Sequence, residues 1–158
     1  MLSDGRGVAV RTADPQDLAA VAVIENLSFG DPWSLSALLS ELEPDPMRLP
    51  LVAELEGQVV GFLMSWIVAD QLHVLNIATD PGWLRRGVGT ALLREAARRG
   101  LAHGLVETTL EVRRSNLPGR AFYHRHGFRE TGVRKRYYAD NGEDAIILDC
   151  GLDGLAGD

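Results

Sequence analysis

"WLRRGVGTALLREAARRG", Trp83 to Gly100, sets two arginines and two glycines ahead of a long helical pattern. Glycine inside a helix costs roughly 0.5–1 kcal/mol against alanine. Gly87 and Gly89 are therefore poor choices for a helix that only has to pack. The flanking segments explain the placement. "QLHVLNIATD" (71–80) alternates as a strand and is stopped by Pro81, and "LVETTLEVR" (105–113) is a second, β-branched strand. Strand, helix from about Gly87 to His103, and strand predict a right-handed βαβ crossover between parallel strands. That unit decides the fold class.

The rest of the chain builds outward from it. "VAVRTA" (8–13) reads as a first strand. Asp14 then caps a helix with Pro15 at its first position, and Ser34 caps a second short helix in "PWSLSALLSELE". Pro44, Pro46 and Pro50 end helical pattern there. "LPLVAELEG" and "QVVGFLMSWIVAD" read as a hairpin around Gly57, and "SNLPGRAFYHRHG" as a short helix closed by Gly127. "FRETGVRKRYYADNGEDAIILDC" reads as two strands about a turn at Asn141-Gly142. The order is β-α-α-β-β-β-α-β-α-β-β. It predicts an α/β protein with a mixed, mostly antiparallel central sheet and helices on both faces. One domain spans residues 1–150, and "GLDGLAGD" reads as a frayed, flexible tail over 151–158.

Composition narrows the function. Hydrophobic residues make up 46% and charged residues 24% of the 158, the balance of a soluble domain. No apolar run reaches the roughly 20 residues of a membrane span, and "MLSDGRG" lacks a secretory apolar core. Cys150 is the single cysteine, so no internal disulfide forms, which fits the cytoplasm. The net charge of −6 argues against broad nucleic-acid binding. Arginines cluster all the same, at Arg85, Arg86, Arg94, Arg98 and Arg99 and again at Arg113, Arg114, Arg120 and Arg125, so a small anion can still be held. The histidines suggest no metal site. His73 and His103 stand alone, and His124 and His126 diverge on a helix.

A helix start carries unpaired N–H groups and partial positive charge, and glycines there admit a phosphate to the backbone. "RRGVGT" is thus a candidate pyrophosphate cradle. A P-loop needs a lysine before its Ser or Thr, and Gly89 is followed directly by Thr90. A dinucleotide fold wants a third glycine near Leu92 and a shorter approach from the strand. Coenzyme A is the third candidate.

At this point the sequence resembles the GCN5-related N-acetyltransferases, the GNAT family. "LNIATDPGWLRRGVGTALL" looks like that family's acyl-CoA segment, Gln/Arg-x-x-Gly-x-Gly/Ala, with Leu84 where the family has Gln or Arg. "PWS" (32–34), "LEVRRSN" (110–116), "FYHRHGF" (122–128), "RKRYY" (134–138) and "DNGEDAIIL" (140–148) follow in the family's order. Together they resemble one subfamily, the RimI-like ribosomal-protein alanine N-acetyltransferases, over about residues 8–150.

The resemblance implies acetyl-CoA as acetyl donor and a protein N-terminal α-amine as acceptor, with no metal. The implied general base is Glu111, which alternation sets on the strand face opposite Leu110 and Val112. The implied acid toward the departing thiolate is Tyr123. The implied cofactor contacts are Ile77, Ala78 and Thr79 through backbone groups, Arg85, Arg86, Gly87, Val88, Gly89 and Thr90 in the cradle, and Asn116 by its amide. Asn116 also reads as a plain helix cap. Trp33, Tyr137 and Tyr138, with Asp140 beside them, are the acceptor-site candidates. An acceptor lysine, a small-molecule amine, or a silent acyl-CoA sensor are the competing readings. The sequence leaves the oligomeric state open.

Overall fold

Local capping starts the helices where side chains satisfy the free N–H groups. Asp14 accepts from the Gln16 N–H, and Asp17 accepts from the Asp14 N–H. This reciprocal cap opens a short 3-10 turn, Pro15–Asp17, that runs into α1, Leu18–Ser28. Ser34 Oγ accepts from the Ala37 N–H at 3.1 Å and starts α2, Leu35–Leu42. The computed structural model describes residues 7–157, so the N-terminal "MLSDGR" reading and Asp158 lie outside the described residues.

Seven strands form one sheet: β1 Ala9–Thr12, β2 Leu51–Leu55, β3 Gln58–Val68, β4 Gln71–Thr79, β5 Glu107–Arg113, β6 Arg129–Arg134 and β7 Ala145–Gly151. The spatial order is β1-β2-β3-β4-β5-β7-β6. Every neighbouring pair is antiparallel except β4–β5. That parallel pair is joined by α3, Val88–Ala102, as the crossover pattern requires. The remaining helices are α4, Leu117–Arg125, and α5, Leu152–Ala156.

Two cores sandwich the sheet. Leu92, Leu93, Ala96 and Ala97 of α3 pack with Leu51, Leu63, Leu110 and Val112 on one face. Val21, Ile24, Leu38 and Leu42 of α1 and α2 pack with Val52, Phe62 and Met64 on the other. Strand alternation thus feeds both faces, giving the expected mixed sheet with helices on both sides.

Two sequence expectations are corrected. The turn at Asn141-Gly142 forms, Gly142 at φ 71° donating to the Tyr138 carbonyl at 2.8 Å, but the strands stop short of it: β6 ends at Arg134 and β7 starts at Ala145, leaving 135–144 as a longer loop than expected. Asp140, Glu143 and Asp144 tie that loop to Arg113 and Arg114, and Asp144 also pairs with Lys135 within it. The C-terminal segment is no frayed tail either. Gly151 ends β7, and α5 buries Leu152, Leu155 and Ala156 against α3. Gly100 makes this possible, since a Cβ there would meet Leu152 Cδ1 at 2.9 Å. Leu152 is fully buried, so Leu152→Ala should cost about 2–5 kcal/mol, a large part of the ~5–15 kcal/mol holding a typical domain. Urea unfolding checks this through the shift in midpoint.

Candidate active site

The parallel pairing of β4 with β5 is short. It covers Gln71–Val74 against Glu107–Leu110 and then stops. On its other side, β4 pairs Val74 with Ser65 and Asn76 with Met64, so Leu75 is the extra residue of a β-bulge. A bulge bends its strand. Residues 75–79 of β4 therefore leave β5, and the sheet opens as a wedge.

A cavity of about 480 Å³ fills that wedge. Val74–Ile77 line one side and Leu110–Arg113 the other. Glu25, Phe29, Asp31 and Trp33 contribute from α1 and the loop after it, Asn116 and Tyr123 from α4, and Tyr138 from loop 135–144. Leu110, Val112 and Tyr123 belong to the core on the α3 face, whereas Glu111 alternates to the opposite face. The wedge is thus a passage through the sheet, with a phenol toward one mouth and a carboxylate toward the other.

Glu111 is only 11% exposed at its side chain. Oε2 lies 2.7 Å from His73 Nε2, and Oε1 accepts from Arg134 Nε at 3.2 Å. Burial alone would push this carboxyl up, but His73 and Arg134 outweigh it and hold Glu111 below the ordinary carboxylate range. A group with a depressed folded-state pKa contributes stability that is present above its unfolded value and lost as pH falls through the folded one. Glu111 is accordingly an anion throughout the neutral range.

Tyr123 is buried among Phe122 and Phe128, with edge-on ring contacts of 5.3 and 5.4 Å. Its hydroxyl has no protein hydrogen-bond partner among the described residues. Burial, with a smaller contribution from Tyr138, pushes the phenol far above its usual range. It keeps its proton at any physiological pH. Asn116 accepts from the Gly119 N–H at 3.0 Å and caps α4. The capping atom is Oδ1, so the amide N–H groups take no part in this cap, and Asn116 also lines the cavity.

The "RRGVGT" segment lies outside the cavity lining, at the start of α3. Gly87 takes a left-handed φ of 78°, and the first helical bond runs from the Ala91 N–H to the Gly87 carbonyl at 3.0 Å. The N–H groups of Val88, Gly89 and Thr90 are thus the unpaired donors of a helix start. Gly89 serves packing as well: a Cβ there would sit 2.9 Å from Phe122 Cζ. His126 reinforces the contact, its Nε2 2.9 Å from Thr90 Oγ1 and its Nδ1–H donating to the Phe122 carbonyl at 2.8 Å. The helix that carries Tyr123 is therefore docked directly on the α3 start.

The arginines differ in their partners, and in the first cluster Arg98 and Arg99 already pair with Glu95 on α3. Arg113, Arg114 and Arg120 are tied to Asp140 and Glu143, to Asp144, and to Glu130. They shape loops rather than hold an anion. Arg85 carries no ion-pair partner among the described residues, and Arg86 has only the exposed Glu56 at 3.6 Å beside its stack on Trp83. Among the acceptor candidates, Trp33 and Tyr138 line the cavity and Tyr137 does not. Tyr137 is half exposed and packs edge-on against Tyr138 at 5.1 Å. Arg113 covers the Tyr138 ring at 4.0 Å, and burial pushes that phenol up to about 12.

Two participants escape sequence reading. His73 looks isolated in the chain but meets Glu111 across the β4–β5 pair. Glu25 looks like an ordinary helix glutamate, yet it is 1% exposed and lines the cavity. The only sequence signal for Glu25 is its place among apolar neighbours in "VAVIENL".

The relatives of this chain fit that geometry. The sequence profile of the acetyltransferase (GNAT) family matches residues 18–128. A putative [ribosomal protein bS18]-alanine N-acetyltransferase of Bacillus subtilis is 37% identical over 89% of this chain and 93% of its own length. The [ribosomal protein bS18]-alanine N-acetyltransferase of Escherichia coli K12 is 33% identical over 88% of this chain and 94% of its own. The crystal structure of the ribosomal-protein-S18-alanine N-acetyltransferase from Escherichia coli superposes with a TM-score of 0.83 at 31% identity, covering 92% and 94% of the two chains. With the split sheet, the helix start beside it and these relatives in hand, the chain belongs to the GNAT family and is an acetyl-CoA-dependent N-acetyltransferase.

Proposed function

We propose that this enzyme acetylates a protein N-terminal α-amine, the N-terminal alanine of a small-subunit ribosomal protein being the leading acceptor. One observation carries the reading: Tyr123 and Glu111 face a single gap from opposite faces of the sheet. The names of the relatives supply the acceptor class. Such an enzyme works in the cytoplasm.

Acetyl-CoA supplies an activated acetyl thioester. The free backbone edge of Ile77, Ala78 and Thr79 pairs with its pantetheine arm, and the N–H groups of Gly87, Val88, Gly89 and Thr90 receive its pyrophosphate. Arg85 and Arg86 add charge, and the Asn116 amide adds a hydrogen bond. On the other side Trp33, Tyr137 and Tyr138 border the acceptor peptide.

The neutral amine attacks the thioester carbonyl carbon, forming the C–N bond. Collapse of the tetrahedral intermediate breaks the C–S bond and releases a thiolate. An α-amine has a pKa near 8, so a useful fraction is already neutral at pH 7. Glu111 is too weak a base to strip a free ammonium ion. It takes the proton that nitrogen must lose once the C–N bond has formed, directly or through a water. Tyr123 is a poorer acid than a thiol with pKa near 8.5. Its role is a hydrogen bond to sulfur as charge develops, with the final proton arriving from solvent.

Mass spectrometry of an alanine-initiated peptide incubated with enzyme and acetyl-CoA tests the reading. Acetyl on the terminal nitrogen is the expected result. Modification confined to an internal lysine would reassign the acceptor, and binding without turnover of any amine would favour a sensor.

A further inference from the structure

Glu25 is the most deeply buried carboxylate of the cavity, and no chemical step above uses it. Oε1 accepts from Asn76 Nδ2 at 2.6 Å, and Oε2 accepts from the Trp33 backbone N–H at 2.8 Å. Its position is unusual for a charged group, because burying a carboxylate costs several kcal/mol unless good donors meet it. Burial pushes this carboxyl up, against the pull of the Trp33 and Asn76 bonds.

The two donors come from the parts of the protein that define the acceptor mouth. Asn76 follows the bulge at Leu75, where β4 turns away from β5 and opens the wedge. Trp33 closes the loop between α1 and α2, whose Phe29, Gly30 and Asp31 line the same cavity. No other hydrogen bond from the Trp33 N–H or the Asn76 side chain is present among the described residues. A carboxylate only accepts, so it suits two donors that converge from separate elements.

We propose that Glu25 is a positioning residue for the acceptor amine: it ties the α1–α2 loop to the bulge that opens the sheet, and so fixes the acceptor mouth relative to the thioester site. This rests on the catalytic reading of the wedge, but not on which amine is acetylated. It separates the two substrates. The α3 start and α4, which flank the cofactor side, make none of these contacts.

The test is a change of Asn76 and its reversal. Asn76→Asp sets a second carboxylate against Glu25, and the pair repels unless it takes up a proton. Glu25→Gln combined with Asn76→Asp restores both bonds with the roles exchanged. The amide introduced at position 25 then donates to the carboxylate introduced at position 76 and still accepts from the Trp33 N–H. Glu25→Gln alone is milder, because Asn76 can turn its amide over.

Assays run above the α-amine pKa of about 8 keep the acceptor neutral. Loss of a buried charged contact predicts that Asn76→Asp lowers acceptor kcat/KM about 10–100-fold, with acetyl-CoA affinity within about twofold of wild type. The double variant should regain most of that loss. Hydrogen exchange of the Trp33 amide gives a second measure that needs no acceptor. Protection should fall in Asn76→Asp and return in the double variant. Unchanged Trp33 protection in Asn76→Asp, or a double variant no better than that single change, would overturn the proposal. So would equal loss of acetyl-CoA affinity. Should wild-type enzyme ignore the alanine peptide, the acceptor assignment fails alone; the same comparison then runs with a lysine peptide or spermidine, whichever is acetylated.

Discussion

Tyr123→Phe should reduce kcat by about 10²–10³-fold, the range for losing one hydrogen-bond donor aimed at developing charge. Acetyl-CoA affinity should stay within about twofold of wild type. The substitution removes one oxygen and keeps the ring, so the edge-on packing on Phe122 and Phe128 survives. The hydroxyl has no protein partner to abandon among the described residues, and no new unsatisfied group appears. Its loss is felt only when sulfur acquires charge, which is why kcat changes and binding does not. Isothermal titration with acetyl-CoA and steady-state kinetics with the peptide separate the two quantities. An unchanged kcat would remove Tyr123 from the reaction.

Glu111→Gln should lower kcat about 100-fold or more by removing the proton acceptor. The companion variant His73→Ala isolates how that acceptor is tuned. It deletes a partner that holds the Glu111 carboxyl down and leaves burial, which pushes it up. The Glu111 pKa must therefore rise. In wild type, kcat/KM falls with one proton as the acceptor amine is protonated, and with a second only once Glu111 is titrated in acid. His73→Ala should move that second break to higher pH, toward neutrality. A profile unchanged in its acid region would mean that Glu111 is not the base, or that Arg134 alone sets it. His73→Ala in an Arg134→Ala background distinguishes the two.

Much of this is legible in the chain because it is local. Alternation through "TTLEV" places Glu111 opposite Leu110 and Val112, and that is where it lies. Ser34 and Asp14 act within a few residues of themselves, and so do Pro15 and Gly87. What the chain hides depends on distant partners. His73 and Glu111 lie 38 positions apart and meet only because two parallel strands bring them together. Glu25 and Asn76 are 51 positions apart, and nothing in a helical pattern marks one glutamate as the buried one. The C-terminal segment misleads for a different reason. Its three glycines, Gly151, Gly154 and Gly157, suggest looseness, but Leu152 and Leu155 fall on one face and find a surface on α3. Loop 135–144 keeps the turn that Asn141-Gly142 signals, but both strands end before it, and charge pairing of Asp140, Glu143 and Asp144 with Arg113 and Arg114 holds the connecting residues instead of a ladder.

The bulge at Leu75 has a consequence for how such an enzyme can change over time. By parting two strands it gives the cavity two walls, built from different stretches of chain. On the function proposed above, substitutions in residues 28–34 and 135–144 reach the proposed acceptor wall without touching the α3 start. A new acceptor can be acquired there one loop residue at a time while the donor side stays intact. The same partition makes these loops the place to randomise when a variant with altered acceptor choice is wanted.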